Sequence, residues 1–245
     1  GDIYTVPSTG GRATQITTNP AFDTEPVWSP DSKQIAFASD RMGSLDVFVV
    51  SSEGGAPQRL TTHSGSEKPV AYKDNKHILF TANIAPSAED AGFPSGQFQQ
   101  VYEVAVTGGR PAMFSSMPME CISINKEGVM LYQDKKGYED YWRKHQKSPI
   151  ARDIWMLRPG QTPRYEKQTT FIGEDREPVW APDGKSFYYL SEENGTFNVY
   201  QRTPGSDTSK QVTHHKQHPV RFLSMASNGN LCYGFDGEIY TLAPG

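Results

Sequence analysis

The sequence is nearly without cysteine. Cys121 and Cys232 are its only two thiols in 245 residues, too few for a disulfide framework, and both fall in segments predicted to be strands of different repeats, where a small thiol packs as an unpaired core side chain. No apolar run is long enough to span a membrane, and no segment reads as a signal peptide, although neither absence fixes the compartment. No window keeps a helical period for long. There is also no polybasic run. The net charge is −4, and the cationic clusters Lys135-Lys136 and Arg143-Lys144-His145 with Lys147 lie beside acidic residues. That pattern argues against a nucleic-acid partner and against an anionic membrane surface. The chain further lacks a Gly-x-Ser-x-Gly elbow, a recognisable Ser/His/Asp triad and an HExxH pair, so no catalytic residue, metal ligand or cofactor is assigned.

What the sequence does contain is repetition. The stretch Glu25 to Phe48, EPVWSPDSKQIAFASDRMGSLDVF, returns at Glu177 to Tyr200 as EPVWAPDGKSFYYLSEENGTFNVY, without a gap and at a constant offset of 152. Each copy holds a short apolar run, an Asp-centred turn, an alternating aromatic-rich run, a turn at Gly43 or Gly195, and another β-rich run, the pattern of a strand meander. A fourth strand follows the glycine pair of Gly54-Gly55, with relatives at Gly10-Gly11 and Gly108-Gly109. Four-stranded units at this spacing mark a β-propeller, in which each blade buries its faces against its neighbours.

The expected fold is therefore all-β: one propeller domain over residues 1–245, with blades at roughly 2–18 (partial), 24–62, 67–115, 119–170, 176–213 and 218–245 (partial). That is most of a six-bladed ring with an incomplete seam, five blades being the alternative count. The abrupt ends suggest a fragment of a longer protein whose ends pair with each other or with a neighbouring molecule. Two insertions stand out, 83–98 (NIAPSAEDAGFPSGQF) and 134–152 (DKKGYEDYWRKHQKSPIAR). Long loops on a rigid scaffold carry function, and the second reads either as a solvated loop whose Tyr138, Tyr141 and Trp142 cover a blade or as a recognition lid over one channel mouth.

First strands of propeller blades line the axial channel. Glu25, Lys68, Glu120, Glu177 and His218, each just ahead of a Pro-Val or its equivalent, are the expected channel residues, joined at the mouth by Trp142 and Arg143. They suit a cation, a peptide amine or water; the alternative is that they satisfy strand-end N–H groups and one another. Asp2, Asp46 and Asp153, replaced by Asn198 and Glu238, recur at the head of the third strand. A repeated short acceptor of that kind is structural rather than catalytic. His214-His215 and His218 sit in a turn with no helix face to set ligand spacing.

The repeat Pro-Val-Trp-Ser-Pro-Asp-x-Lys, Ser-Asp-Arg-x-Gly-x-x-Asp and Gly-Gly-x-x-x-x-Leu-Thr resembles the TolB-type, WD-like propeller repeat over nearly the whole chain. More narrowly, Asp2-Ile3-Tyr4-Thr5-Val6-Pro7, Trp142-Arg143-Lys144-His145, Arg152-Asp153-Ile154-Trp155, Gly173-Glu174-Asp175-Arg176 and His218-Pro219-Val220-Arg221-Phe222-Leu223-Ser224 resemble the amino-terminal propeller of bacterial tricorn-like serine peptidases. The resemblance implies a non-catalytic domain that filters or guides peptide or unfolded protein toward a serine peptidase domain, reached after a PDZ module, neither of which lies in this chain. It also implies a periplasmic location and no membrane insertion. Two other readings stand beside it: a TolB-type protein-docking module, and a propeller lyase with a channel metal.

Overall fold

The computed structural model describes residues 1–84, 99–137, 140, 142, 143, 145, 147–162 and 164–243. Most of the 83–98 insertion, together with Tyr138, Tyr141 and Lys144 of the second, lies outside the described residues. Among those described there is no helix. The chain divides into two compact units, residues 1–119 and 120–245.

In the first unit, β1 (Tyr4–Thr5) and β2 (Thr14–Gln15) form a two-stranded hairpin, followed by two antiparallel meanders. One comprises β3 (Asp23–Trp28), β4 (Gln34–Ser39), β5 (Asp46–Ser51) and β6 (Gln58–Arg59). The other comprises β7 (Lys68–Asp74), β8 (His77–Ala82), β9 (Gln100–Ala105) and β10 (Ala112–Ser115). The second unit holds β11 (Met119–Ile124), β12 (Met130–Asp134), β13 (Ile154–Leu157) and β14 (Tyr165–Lys167), then β15 (Asp175–Trp180), β16 (Phe187–Ser191), β17 (Asn198–Arg202) and β18 (Lys210–Gln211). It ends in a three-stranded sheet, β19 (Arg221–Met225), β20 (Leu231–Phe235) and β21 (Glu238–Leu242).

The fold is an all-β propeller of four-stranded blades, and the structure corrects the blade count to five. Four sheets have four strands and one has three. The hairpin from residues 2–18 does not make a sixth blade, because its two strands are only two residues long each and form a separate sheet.

Strand alternation explains the packing. In β4, Ile35 and Phe37 face the hairpin and join Ile3, Ile16, Phe48 and Val50, whereas Ala36 faces the next sheet and joins Val49, Ile78, Phe80 and Tyr102. In β16, Phe187 and Tyr189 pack back on Leu131, Ile154 and Met156, while Tyr188 and Leu190 pack forward on Leu231 and Tyr233. Central strands are thus apolar on both faces, and each fully buried large side chain contributes roughly 1.5–3 kcal/mol.

The fourth strand is locked by a threonine. Thr17, Thr61, Thr169 and Thr213, each two residues beyond a fourth strand, accept through Oγ1 the main-chain N–H of the residue after the strand-head Asp or Asn, namely Ile3, Val47, Ile154 and Val199, at 2.9, 2.9, 3.0 and 2.8 Å. The recurring residue at the strand head has structural partners: Asp2 meets fourth-strand Gln15 at 3.1 Å and Asp46 fourth-strand Arg59 at 2.8 Å, Asp153 meets both Lys136 at 2.5 Å and fourth-strand Lys167 at 2.9 Å, and Asn198 accepts the His215 main-chain N–H at 2.8 Å. Cys121 and Cys232 are half-buried rather than fully buried, and neither is in a disulfide.

Candidate functional site

The first strands share one device. Pairing steps three residues along β3 (Thr24 to Val27), β15 (Arg176 to Val179) and β19 (Arg221 to Ser224) while stepping two along the partner strand. The extra residue is a β-bulge, and a left-handed residue sits there: Glu25 at φ 52°, Glu177 at φ 51° and Phe222 at φ 58°, with Cys121 of β11 at φ 50°. A bulge re-aims the side chain it carries, so these are the side chains that the blades project from their first strands.

Measured by that device, the five expected channel residues are not equivalent. Glu25 and Glu177 occupy bulges. Glu120 stands one residue before the bulge at Cys121, and Lys68, paired with Thr81, holds the position that Thr24, paired with Ala38, holds in β3. His218 precedes β19 altogether, and the residue in the equivalent place is Phe222. The Pro-Val match at His218-Pro219-Val220 misled the alignment; matching Arg176-Glu177 to Arg221-Phe222 would have found the right register.

Glu25 and Lys68 lie together on the surface of the first unit, 3.6 Å apart, an exposed pair worth little. Glu177 is buried in the second. Its main-chain N–H donates to Gln133 Oε1 at 2.9 Å, and its Oε2 accepts the Leu223 N–H at 2.6 Å, tying β15 to β12 and to β19. Gln133 in turn donates to Glu120 Oε2 at 3.0 Å, which also takes the Arg152 Nε–H at 3.1 Å, while Lys135 approaches Glu120 Oε1 at 3.1 Å. Glu174 completes the network with Arg176 at 2.7 Å and Arg152 at 3.7 Å. Burial opposes charge on both Glu120 and Arg152, yet the pair outweighs it: Arg152 and Lys135 hold the Glu120 carboxyl below its usual range, and Glu120 and Glu174 hold Arg152 protonated. Glu120 and Glu177 are therefore committed to internal bonds.

Trp142 and Arg143 are exposed, and Trp142 has company. Its ring meets Phe222 edge-on at 6.5 Å, and the Arg221 guanidinium lies over it at 4.7 Å. The segment is anchored by the His145 N–H, which donates to buried Glu192 at 2.6 Å, and within it the Asp140 carboxylate accepts the Trp142 N–H at 2.9 Å in a local turn. The structure thus joins Trp142 to Arg221 and Phe222, two residues the sequence reading left without a role. His218 pairs with Asp236 at 3.4 Å, and His215 stacks on Phe235 at 3.7 Å, its pKa lowered by burial and by His214. Among the described residues no group of three His, Cys, Asp or Glu side chains is arranged to hold a metal, and no helix is long and apolar enough to cross a membrane.

Two buried carboxyls predict a pH response. Burial pushes Asp175 up to about 7, reinforced by Asp153 and Glu193 and partly offset by Ser191 and Thr169. Burial likewise lifts Glu67 to about 7, with Asp46 adding to it and Thr61 and the His63 main chain opposing. Unfolded carboxyls titrate near pH ~4, so between roughly pH 4 and 7 the folded chain holds protons that the unfolded chain has released. This contribution to stability is full at the acid end and is lost as pH rises through about 7, at up to about 1.4 kcal/mol per pH unit for each proton. Urea midpoints measured from about pH 5.5 to 8 should fall, and Asp175→Asn, which stays neutral, should fall less steeply.

The comparisons with known proteins agree with this architecture. The model of the tricorn protease N-terminal beta propeller domain matches residues 1–245. Tricorn protease homolog 1 of Streptomyces coelicolor is 25% identical over 248 residues, covering 98% of this chain and 22% of that protein. The crystal structure of the tricorn protease superposes with a TM-score of 0.80 at 17% identity, covering 99% of this chain and 23% of the other. A putative TolB from Agrobacterium tumefaciens superposes at 0.67 with 15% identity, covering 94% and 76%. The chain spans about a fifth of the tricorn homologue that it matches. It belongs to the family of tricorn protease N-terminal β-propeller domains.

Proposed function

We propose that this propeller filters or guides peptide substrates toward a serine peptidase domain elsewhere in the parent protein, and is itself non-catalytic. The observation that carries the reading is the exposed Trp142, held beside Phe222 and Arg221 by an insertion pinned to Glu192. Exposed aromatics on an otherwise well-packed scaffold mark a recognition surface. Of the residues expected to handle peptide, Glu25, Lys68, Trp142 and Arg143 face solvent, while Glu120 and Glu177 serve the scaffold. The reading takes the parent to carry its own PDZ and peptidase domains, on the likeness to the tricorn homologue, and keeps the periplasmic location on the likeness to TolB alone.

The test is cleavage by the full-length protein of a short reporter peptide and of a long unfolded substrate, with and without Trp142→Ala. Slower cleavage of the long substrate, with the short one unchanged, is the expected result. Equal rates on both substrates would instead favour a TolB-type docking module, the reading to which the TolB likeness points.

A further inference from the structure

We propose that the outer edge of β21 binds an extended peptide segment by strand addition, and that it selects the pattern basic residue, aliphatic residue, threonine. The inference goes beyond the filtering reading and does not depend on Trp142, because every observation behind it comes from the strands themselves.

The other sheets show what covers a third strand. In four of the other five, the residue after the strand-head Asp or Asn is held at both of its main-chain groups. The carbonyls of Ile3, Val47, Ile154 and Val199 accept the N–H of Ile16, Leu60, Gln168 and Val212, each at 2.8 Å, and the N–H groups of the same four residues donate to the threonine hydroxyls described above. The next residue is aromatic each time and pairs with a long polar one: Tyr4 with Gln15, Phe48 with Arg59, Trp155 with Lys167 and Tyr200 with Gln211. The covering segment therefore reads Gln15-Ile16-Thr17, Arg59-Leu60-Thr61, Lys167-Gln168-Thr169 or Gln211-Val212-Thr213. Its threonine is constant, and its middle residue is aliphatic in three cases of four.

β21 repeats the third-strand features with its outer side open. Glu238, Ile239 and Tyr240 stand at the strand-head, second and aromatic places, and Gly234 faces Ile239 as Ala38 faces Val47 and Leu190 faces Val199. Antiparallel alternation then turns the Ile239 N–H and carbonyl outward. Among the described residues no strand pairs with that side. Ile239 is 70% exposed, against 5% or less for Ile3, Val47, Ile154 and Val199, and Tyr240 is exposed too. An open row of main-chain groups beside exposed apolar side chains is a template for another strand.

Charge chooses the occupant. Across the same edge of their own sheets, Asp46 meets Arg59 at 2.8 Å and Asp153 meets Lys167 at 2.9 Å. Glu238 is exposed at the equivalent place, so a basic residue opposite Tyr240 adds an ion pair to the main-chain bonds. A second copy pairing β21 with β21 brings no cation to Glu238, because Glu238-Ile239-Tyr240-Thr241-Leu242 contains none. The occupant that fits is a peptide from another chain that carries Arg or Lys, then an aliphatic residue, then Thr.

The test is the fluorescence anisotropy of a labelled, end-capped peptide with the sequence of residues 55–62, Gly-Ala-Pro-Gln-Arg-Leu-Thr-Thr, titrated with the full-length protein. Saturable binding is the expected result. Thr61→Val in the peptide, which keeps the shape and loses the acceptor, should weaken it by about fivefold. Ile239→Pro in the protein should abolish it, since proline deletes the outward N–H and is tolerated on an edge strand. Glu238→Lys should weaken binding by about threefold, and Arg59→Glu in the peptide should restore it, a reversal that lost folding cannot produce. No binding, or binding that ignores Ile239→Pro, would overturn the site. Binding by residues 1–245 but not by the full-length protein would overturn the peptide as occupant and assign the edge to another part of the parent. A dimer of residues 1–245 that Ile239→Pro disperses would overturn it in favour of a second copy. Each of these failures leaves the filtering reading standing, because that reading rests on Trp142 and is tested by cleavage.

Discussion

Truncating Trp180 to alanine is expected to cost about 3–5 kcal/mol, whereas the same change at Trp28, in the first copy of the repeat, should cost only about 1 kcal/mol. Urea unfolding of the two variants measures the contrast. Trp180 is 7% exposed, meets Phe187 edge-on at 6.1 Å, and donates its indole N–H to the Val129 carbonyl at 3.1 Å. Alanine there leaves a cavity among Leu131, Ile154, Met156 and Tyr189 and strands a carbonyl. Trp28 stands at the same place in β3 but is 51% exposed. It opens onto a shallow depression of about 360 Å³ lined also by Thr5, Thr14, Ile16, Ser32, Ser52 and Glu53. The difference lies in what precedes each copy. β15 packs against the full sheet β11 to β14, while the sheet before β3 is the two-stranded hairpin. Equal losses at the two sites would mean that Trp28 is as well covered in solution as Trp180.

Local chemistry was the legible part of this sequence. Gly43 and Gly195 take the same φ, 106°, in their two turns because only glycine enters that region without cost. Asp31 and Asp183 accept the N–H of Lys33 and Lys185 in matching Asx turns, at 3.1 and 2.9 Å, with Ser32 and Gly184 both left-handed beside them. Strand identity followed from periodicity, which needs no knowledge of partners. The bulge did not follow, because an extra residue is defined only against the strand across from it. Register by Pro-Val therefore failed at His218 and hid Phe222. Blade count failed for a related reason: a third-strand and fourth-strand signature in residues 2–18 says nothing of whether the two strands extend far enough to make a blade. Burial was least legible of all. Glu25 and Glu177 open the same four-residue stretch, Glu-Pro-Val-Trp, yet the groups that enclose Glu177, Gln133 and Leu223, stand 44 residues before it and 46 after.

That divergence sets the second large effect. Glu177→Ala is expected to destabilise the protein by about 2–3 kcal/mol, since it removes the carboxylate that receives the Leu223 N–H and leaves that donor buried without it. Glu25→Ala should fall within about 0.5 kcal/mol of the parent, because its ion pair with Lys68 is exposed on both sides. Glycine separates side chain from backbone. Both positions are left-handed, so glycine relieves a strain that alanine retains, by about 1 kcal/mol. Glu25→Gly should therefore raise the thermal midpoint, and Glu177→Gly should lower it by less than Glu177→Ala does, an inversion of the usual order within a strand. Glu177→Gln, which keeps an acceptor for Leu223, should recover most of the loss. If alanine costs the same at both glutamates, the buried link from β15 to β19 is not what holds the last sheet, and Glu177 returns to the set of side chains open to a peptide.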